Sequence, residues 1–396
     1  MKTTFNGLEL ETFGWYKKVL GLILELNPLH NGHKYFIEKA IKEQNPDTVI
    51  AITSTNFTMR GEVSVINKFE KTQFLLDLGI DIVLELPFLA AVCSADYFAY
   101  NTVMALNKFG VTDIVCGSEL NDIDKLMYLD SLTNSQNFND LVKEYLDKGY
   151  SYNTCCNKAL SELTTDEDLI INYSLPNNTL ALQYLKAIKK INKNINLSLI
   201  KRINNNYYDE SVTGEISSAS SIRNLIKRSE DISSFVPFNY DLIDINICNN
   251  NLFNLIKYKF INLKTISNYL GVKEGIENRV FNQLDKSNTL DELIQNSQTK
   301  RYSANYIKRL LLHIIMETSN QTNQEIEYTR ILGFNKKAKK YINGLSKDIK
   351  ETIITSPKNT DNIYCLNELR ATKLYEILTN KKIYNEEFKI PIIKEG

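Results

Sequence analysis

Several things are scarce in this 396-residue sequence, and each scarcity closes a route. No apolar run approaches the ~20 residues needed to cross a bilayer, the stretch Val19–Leu26 being among the longest. Residues 1–18 carry Glu9 and Glu11 and lack a basic flank followed by an apolar core, which argues against a secretory signal. The six cysteines show no CxxC spacing and no nearby histidine partner, so neither a zinc site nor a disulfide framework is indicated. Adjacent Cys155 and Cys156 read as two ordinary thiols. Scattered thiols of this kind fit a reducing cytoplasm, and neither a membrane nor an obligate protein partner is inferred. There is no Walker A sequence and no GxGxxG, which closes the P-loop and dinucleotide-fingerprint routes. Net charge is zero as well, but unevenly so: residues 1–240 carry 23 Lys+Arg against 29 Asp+Glu, and 241–396 carry 24 against 18. The second part is thus the one suited to a polyanion, with solvated helix faces as the plainer alternative.

What is present is a regular alternation. Short β-branched runs at Val19–Leu24, Thr48–Ile52, Ile82–Leu86, Asp113–Cys116 and Leu197–Ile200 are separated, early on, by segments of helical period, such as Phe36, Ile37, Ala40 and Ile41. Strands recurring about every 30 residues with helices between them predict an α/β fold with a Rossmann-like, doubly wound parallel sheet. From about residue 240 the pattern predicts helices near 251–269, 275–284, 289–295, 305–316 and 335–343, with no strand alternation. A boundary near Pro237 gives an N-terminal extension at 1–18, a nucleotide-binding domain at 19–238 and a mainly α-helical, basic domain at 239–396.

Only three histidines occur, and two of them are His30 and His33. They stand between the first strand and the first helix, in Asn27-Pro28-Leu29-His30-Asn31-Gly32-His33, at the carboxyl end of the sheet where such folds bind ligands. A helix amino terminus offers free N–H groups and a positive dipole end, which favour phosphate. Imidazoles there can donate to phosphate oxygens as charge develops, and Gly32 would let the backbone approach a ligand. A metal site is the rival reading of the pair, but spacing offers no third ligand, and no metal is assigned. His313, within a helical apolar stretch, reads as a core residue. A second anion cradle is suggested by Ile216-Ser217-Ser218-Ala219-Ser220-Ser221-Ile222-Arg223, hydroxyls and a guanidinium leading into another helix. On its own that run could be only a helix start.

HxGH after a first strand, followed by a distal Ser-rich motif ending in Ile-Arg, resembles the HxGH nucleotidyltransferase superfamily, in which both motifs hold ATP phosphates. Gly21–His33, Asn56-Phe57, Arg60-Gly61-Glu62, Glu85-Leu86-Pro87, Gly117-Ser118-Glu119 and Pro176-Asn177-Asn178 narrow the resemblance to the bacterial tRNA(Met) cytidine acetate ligase family. Arg202 with Tyr207 and Asp209, Ser218–Arg223, Glu274–Glu277 and Thr299–Tyr302 continue in the same order. Leu26 stands where an aromatic is common, Leu29 where Phe is, and Phe36 where His is often found.

The resemblance implies an enzyme that activates acetate with ATP, expected as its Mg2+ complex, and transfers the acetyl group to N4 of the wobble cytidine of elongator tRNA(Met). It implies catalytic roles for His30 and His33. It implies ATP contacts from Ile23, Leu24, Glu25, Leu26, Asn27, Pro28, Leu29, His30, Asn31, Gly32, His33, Lys34, Tyr35 and Phe36, then from Gly117, Asn177, Arg202, Ser218, Ser220 and Arg223. Lys300 and Arg301, Lys308 and Arg309, and the run Lys336, Lys337, Lys339 and Lys340 are the candidates for tRNA phosphate contacts. Two other functions stay open at this point: an adenylyltransferase for a small phosphorylated metabolite, and a non-catalytic nucleotide- or RNA-binding protein.

Overall fold

The architecture comes from a computed structural model that describes residues 3–5, 8–10, 18–202, 217–273, 275–326 and 328–395. Asn204–Asn206, Tyr207, Asp209, Ile216 and Glu274 lie outside the described residues. Near the amino terminus Thr3–Phe5 pairs antiparallel with Leu8–Leu10.

The main sheet contains β1 (Val19–Leu24), β2 (Thr48–Ser54), β3 (Ile82–Leu86), β4 (Asp113–Ser118), β5 (Asn196–Lys201), β6 (Thr329–Asn335), β7 (Ile353–Ile354) and β8 (Ile392–Lys394). Its order is β5-β4-β1-β2-β3-β6-β8, with β7 beside β6. The first five strands run parallel. After β1 the chain lays down β2 and β3 on one side, then crosses to place β4 and β5 on the other. The crevice between β1 and β4 is therefore the switch point at which such sheets bind ligands.

The central strands are apolar on both faces because helices cover both. Leu20, Leu22 and Leu24 pack with Ile37 and Ala40 of helix α1 (Asn31–Gln44) and with Leu75 and Leu76 of α2 (Lys68–Asp77). Val19, Ile50, Ile52, Ile82 and Leu84 face α3 (Ala95–Lys108) and α4 (Pro176–Ile191) through residues such as Phe98, Val103 and Tyr184. Gly21 permits the close fit of β1 on this side: a Cβ there would meet Val111 Cγ1 at 2.9 Å and Leu106 Cδ1 at 3.0 Å.

Beyond α5 (Ala219–Lys227), a third core gathers Leu252, Phe253, Ile256, Leu293 and Leu310. It includes α6 (Ala304–Ile315) and α7 (Ile363–Thr379) and reaches Phe57, Phe88 and Leu89, just past the carboxyl ends of β2 and β3. The expectation that 241–396 holds no strand is corrected here. β6 returns to the sheet antiparallel to β3, and β8 extends the edge parallel to β6. The sheet thus draws strands from both sides of Pro237. α7 is a further helix that periodicity did not indicate.

A fully buried ionic cluster joins these parts. Lys68 Nζ of α2 lies 2.9 Å from Glu85 of β3, 3.0 Å from Glu368 of α7 and 2.6 Å from Glu387. Arg330 of β6 pairs with Glu85 at 3.2 Å and Glu387 at 2.5 Å. Tyr328 donates to Glu85 at 2.9 Å, and Phe88 N–H donates to Glu368 at 2.6 Å. Burial at full desolvation is tolerable because each charge has several partners. Burial and two neighbouring carboxylates, against the pull of Lys68, leave Glu368 raised to about 7. His313 is buried as expected, with Nε2 2.8 Å from Val92 O, and burial lowers it to about 4. All six cysteines are free and buried. Among the described residues no helix is long and apolar enough to cross a membrane.

Candidate active site

Helix α1 begins one residue after His30, and the two histidines cap it reciprocally. His30 has extended backbone angles, and its Nδ1 accepts from Gly32 N–H at 3.1 Å. His33 Nδ1 accepts from His30 N–H at 3.3 Å. This is the geometry of a capping box with imidazoles in place of hydroxyl and carboxylate. Gly32 accordingly sits inside the first helical turn. The rings lie 3.8 Å apart at 37°.

An Nδ1 that accepts an N–H carries a lone pair, so each ring holds its proton on Nε2. Burial above all, then the neighbouring His33 and the cations Arg202 and Arg223, push His30 well below its ordinary value. Burial, with Arg202 and Lys71, brings His33 down to about 3. Both imidazoles are therefore neutral near pH 7, with a single Nε2–H donor each. They supply hydrogen bonds, and positive charge must come from elsewhere.

It comes from the cavity they border. A cavity of about 280 Å³ opens at the carboxyl ends of β1 and β4. Its lining includes four cations, Arg60, Lys201, Arg202 and Arg223, against one carboxylate, Glu25. His30 lines it although only 4% of its surface is exposed. The second helix start faces the same space. Ser218 is the N-cap of α5, accepting from Ser221 N–H at 3.1 Å, and Ser217, Ser218, Ala219, Ser220 and Arg223 all line the cavity. Arg223 is held by Asn27 O at 2.8 Å, Ser220 Oγ at 3.2 Å and the Glu62 carboxylate at 3.1 Å. Two helix amino termini with their dipoles thus converge on one positively charged pocket, an arrangement suited to a polyphosphate.

Most residues anticipated at the site meet here: Ile23 to Asn27, His30, Gly32, His33, Tyr35, Phe36, Gly117, Asn177, Arg202, Ser218, Ser220 and Arg223. Pro28, Leu29, Asn31 and Lys34 do not line it. Asn31 is tied back to Ser234 O and Phe235 O, both at 2.9 Å. Leu29 O accepts from Tyr240 at 2.6 Å, and Lys34 reaches along α1 toward Glu38. Asn31 and Leu29 thereby fasten the loop in place. Leu26, fully buried, takes a left-handed backbone at φ 56, which turns the chain between β1 and the loop.

The motif pieces Gly117-Ser118-Glu119 and Pro176-Asn177-Asn178 prove to be halves of one lock. Asn178 Oδ1 accepts from Ser118 Oγ at 2.7 Å, Glu119 N at 2.9 Å and Leu120 N at 3.0 Å. Asn177 donates to the Glu119 carboxylate. This brings the start of α4 against the end of β4, with Gly117 and Asn177 on the cavity wall. Met59, Arg60, Phe98, Tyr184 and Lys201 were not assigned to the site from sequence. They reach it from the loop after β2 and from α3, α4 and β5, and nothing local in the sequence marks their convergence. Glu25 accepts from Met59 N–H at 2.7 Å, and its carboxyl is raised by burial. Beneath it, Lys71 donates to Glu25 O, Ser54 O and Thr55 O at 2.9–3.1 Å.

The basic candidates separate. Lys308 and Arg309 on α6 abut the loop after β2: Lys308 pairs with Glu62 at 2.6 Å and Arg309 donates to Met59 O at 3.1 Å. Lys300 and Arg301 precede the same helix. The run Lys336–Lys340 follows the end of β6, beside the start of β3 at Ile82, so it lies at the opposite rim of the sheet from His30. A strand of this length puts the two rims roughly 17 Å apart along the strand direction. Lys337 approaches Asp81 at 3.6 Å, and Lys336 approaches Glu395 at 3.6 Å.

Comparison with known proteins agrees with this geometry. The model of the HIGH Nucleotidyl Transferase family matches residues 17–389. The tRNA(Met) cytidine acetate ligase of Thermosipho africanus is 35% identical over 95% of this chain and 93% of its own length. That of Oceanobacillus iheyensis is 35% identical over 94% and 99%. Two crystal structures of Thermotoga maritima TmcAL superpose on 96% of this chain and the whole of theirs. The apo form has a TM-score of 0.82 at 27% identity, and the form bound with alpha-thio ATP has 0.81 at 26%.

Proposed function

Since the chain belongs to the HIGH nucleotidyltransferases, and among them to the tRNA(Met) cytidine acetate ligase family, we propose that it binds ATP in this cavity and uses it to join acetate to tRNA(Met). An acetate oxygen attacks the α-phosphorus, the bond from that phosphorus to the bridging oxygen breaks, and pyrophosphate leaves. The N4 amine of the wobble cytidine in elongator tRNA(Met) then attacks the acetyl carbon. AMP departs and the amine gives up a proton. Acetate is a poor electrophile and an exocyclic amine a weak nucleophile, so the mixed anhydride is what makes the transfer feasible.

The observation that carries this reading is the convergence of two capped helix starts on one cationic pocket, His30 and His33 from one side and Ser218 and Arg223 from the other. In-line displacement at phosphorus needs positioning and charge stabilisation more than a base. Neutral imidazoles fit that role. Each Nε2–H can donate to a phosphate oxygen, while Arg223 and Arg202 offset the charge that builds on the departing pyrophosphate. The cavity's one lining carboxylate, Glu25, is engaged by Met59 N–H, and Glu62 is engaged by Arg223 and Lys308. These carboxylates do not fit a resident Mg2+ site; the ion would enter with ATP, held by phosphate oxygens and water, and no step is assigned to it.

The test is exchange of labelled pyrophosphate into ATP. Exchange that depends on acetate, followed by acetyl transfer on adding tRNA(Met), is the expected result. Exchange driven only by a phosphorylated metabolite would replace the acceptor, and no exchange with any carboxylate would remove the activation step.

A further inference from the structure

Building on that reading of the site, we propose that Glu62 is a positioning residue: it aims Arg223 at the departing phosphates and anchors that aim to helix α6. Arg223 is the cation at the start of α5, and a guanidinium on a flexible stem stabilises charge only where its planar fork is fixed. Asn27 O fixes one nitrogen, Nη1, at 2.8 Å. The other, Nη2, meets Ser220 Oγ at 3.2 Å and Glu62 Oε2 at 3.1 Å. Glu62 provides the one carboxylate paired with Arg223 among the described residues.

Glu62 is itself placed with little freedom. Thr58 N–H donates to Glu62 O at 3.0 Å, Gly61 N–H donates to Thr58 O at 2.9 Å, and Phe57 bridges Val63, so 58–62 is a closed turn. Its second oxygen takes Lys308 of α6 at 2.6 Å. Gly61, at φ 73, is pressed on the same helix: a Cβ would meet Arg309 N at 2.5 Å and Lys308 C at 2.7 Å. Burial opposes the charge on Glu62, yet Arg223 and Lys308 hold its carboxyl down to about 2. It is therefore an anion across the working pH range, and the pair is only 16% and 22% exposed, so solvent screens it weakly.

A merely structural Glu62 and a positioning Glu62 make different forecasts in a double-mutant cycle. The chain is prepared as wild type, Glu62→Gln, Arg223→Ala and the double variant. Affinity for inorganic pyrophosphate is measured by competition against a fluorescent ATP analogue, and acetate-dependent exchange is measured alongside. The expected result is about a tenfold loss of pyrophosphate affinity for Glu62→Gln alone and less than twofold further loss when it is added to Arg223→Ala, as coupled charge pairs behave. Glu62→Asp keeps the charge; it guards against a Gln variant that fails to fold, and its smaller loss should vanish likewise in the Arg223→Ala background. Equal losses in both backgrounds, or no loss in either, would overturn the proposal. The binding cycle does not involve acetate or tRNA. Absent exchange in the wild type would therefore count against the proposed reaction, while the binding cycle would still decide the role of Glu62.

Discussion

Between about pH 8 and pH 5 the native chain should lose stability through the histidines it keeps neutral. An unfolded imidazole titrates near ~6.5, whereas His33 is held at about 3 and His313 at about 4, in both cases by burial before any other cause. Between those values the unfolded chain binds protons that the native chain refuses. Stability is thus complete above the unfolded value and is lost as the pH falls toward the folded ones. Each group contributes ~1.4 kcal/mol per pH unit within its window, or about 2 kcal/mol by pH 5. For His33 that figure is an upper one, since it rims an open cavity where water softens the penalty. Glu368, raised to about 7 mainly by burial, acts with the opposite sign, because its native form takes up a proton that the unfolded carboxyl binds only below ~4.3. A single pH profile therefore mixes the two. The clean measurement is urea unfolding of wild type and His33→Asn at both pH values. The wild type should lose up to about 2 kcal/mol more than the variant on acidification. Parallel losses would mean that His33 is not held neutral, and the assignment of its tautomer would go with it.

His30→Asn keeps an N-cap acceptor for α1 but removes the Nε2–H donor, so pyrophosphate exchange should fall by about 10²–10³ with helix stability little changed; a fall under fivefold would take His30 out of the chemistry. Lys68→Met strands Glu85, Glu368 and Glu387 around Arg330 alone and should cost about 3–5 kcal/mol in chemical unfolding, whereas exposed Lys148→Ala should leave the unfolding midpoint nearly unchanged. Replacing Lys336, Lys337, Lys339 and Lys340 together should weaken tRNA binding and flatten its salt dependence while leaving exchange intact, because that run lies on the far rim from His30. Unchanged tRNA affinity would leave the face beside Lys300, Arg301 and α6 as the contact.

The parallel half of the fold was legible because its central strands are buried on both faces and therefore written as short apolar runs. β6 was not, since Thr329-Arg330-Ile331-Leu332-Gly333-Phe334-Asn335 places an arginine where burial is normally apolar, and only its distant partners Glu85 and Glu387 explain it. α7 was hidden for a similar reason. Its inward face carries Glu368 and Thr372, which break the apolar period although both are fully buried. At the site, His30, His33, Ser218 and Arg223 were readable because each cap is local in sequence. Their protonation was not, because it depends on which backbone N–H each Nδ1 meets. Glu62 appeared only as part of a familiar tripeptide; its task depends on Arg223 and Lys308, 161 and 246 residues away in sequence.

The most direct measurement is nitrogen NMR of the two imidazoles in selectively labelled chain near pH 7, before and after ATP is added. Both rings should be neutral with the proton on Nε2 in the free chain, and on ATP binding the Nε2 signals should shift while Nδ1 keeps its acceptor character. Rings already doubly protonated, or carrying the proton on Nδ1, would contradict the capped, neutral-donor site on which the mechanism rests.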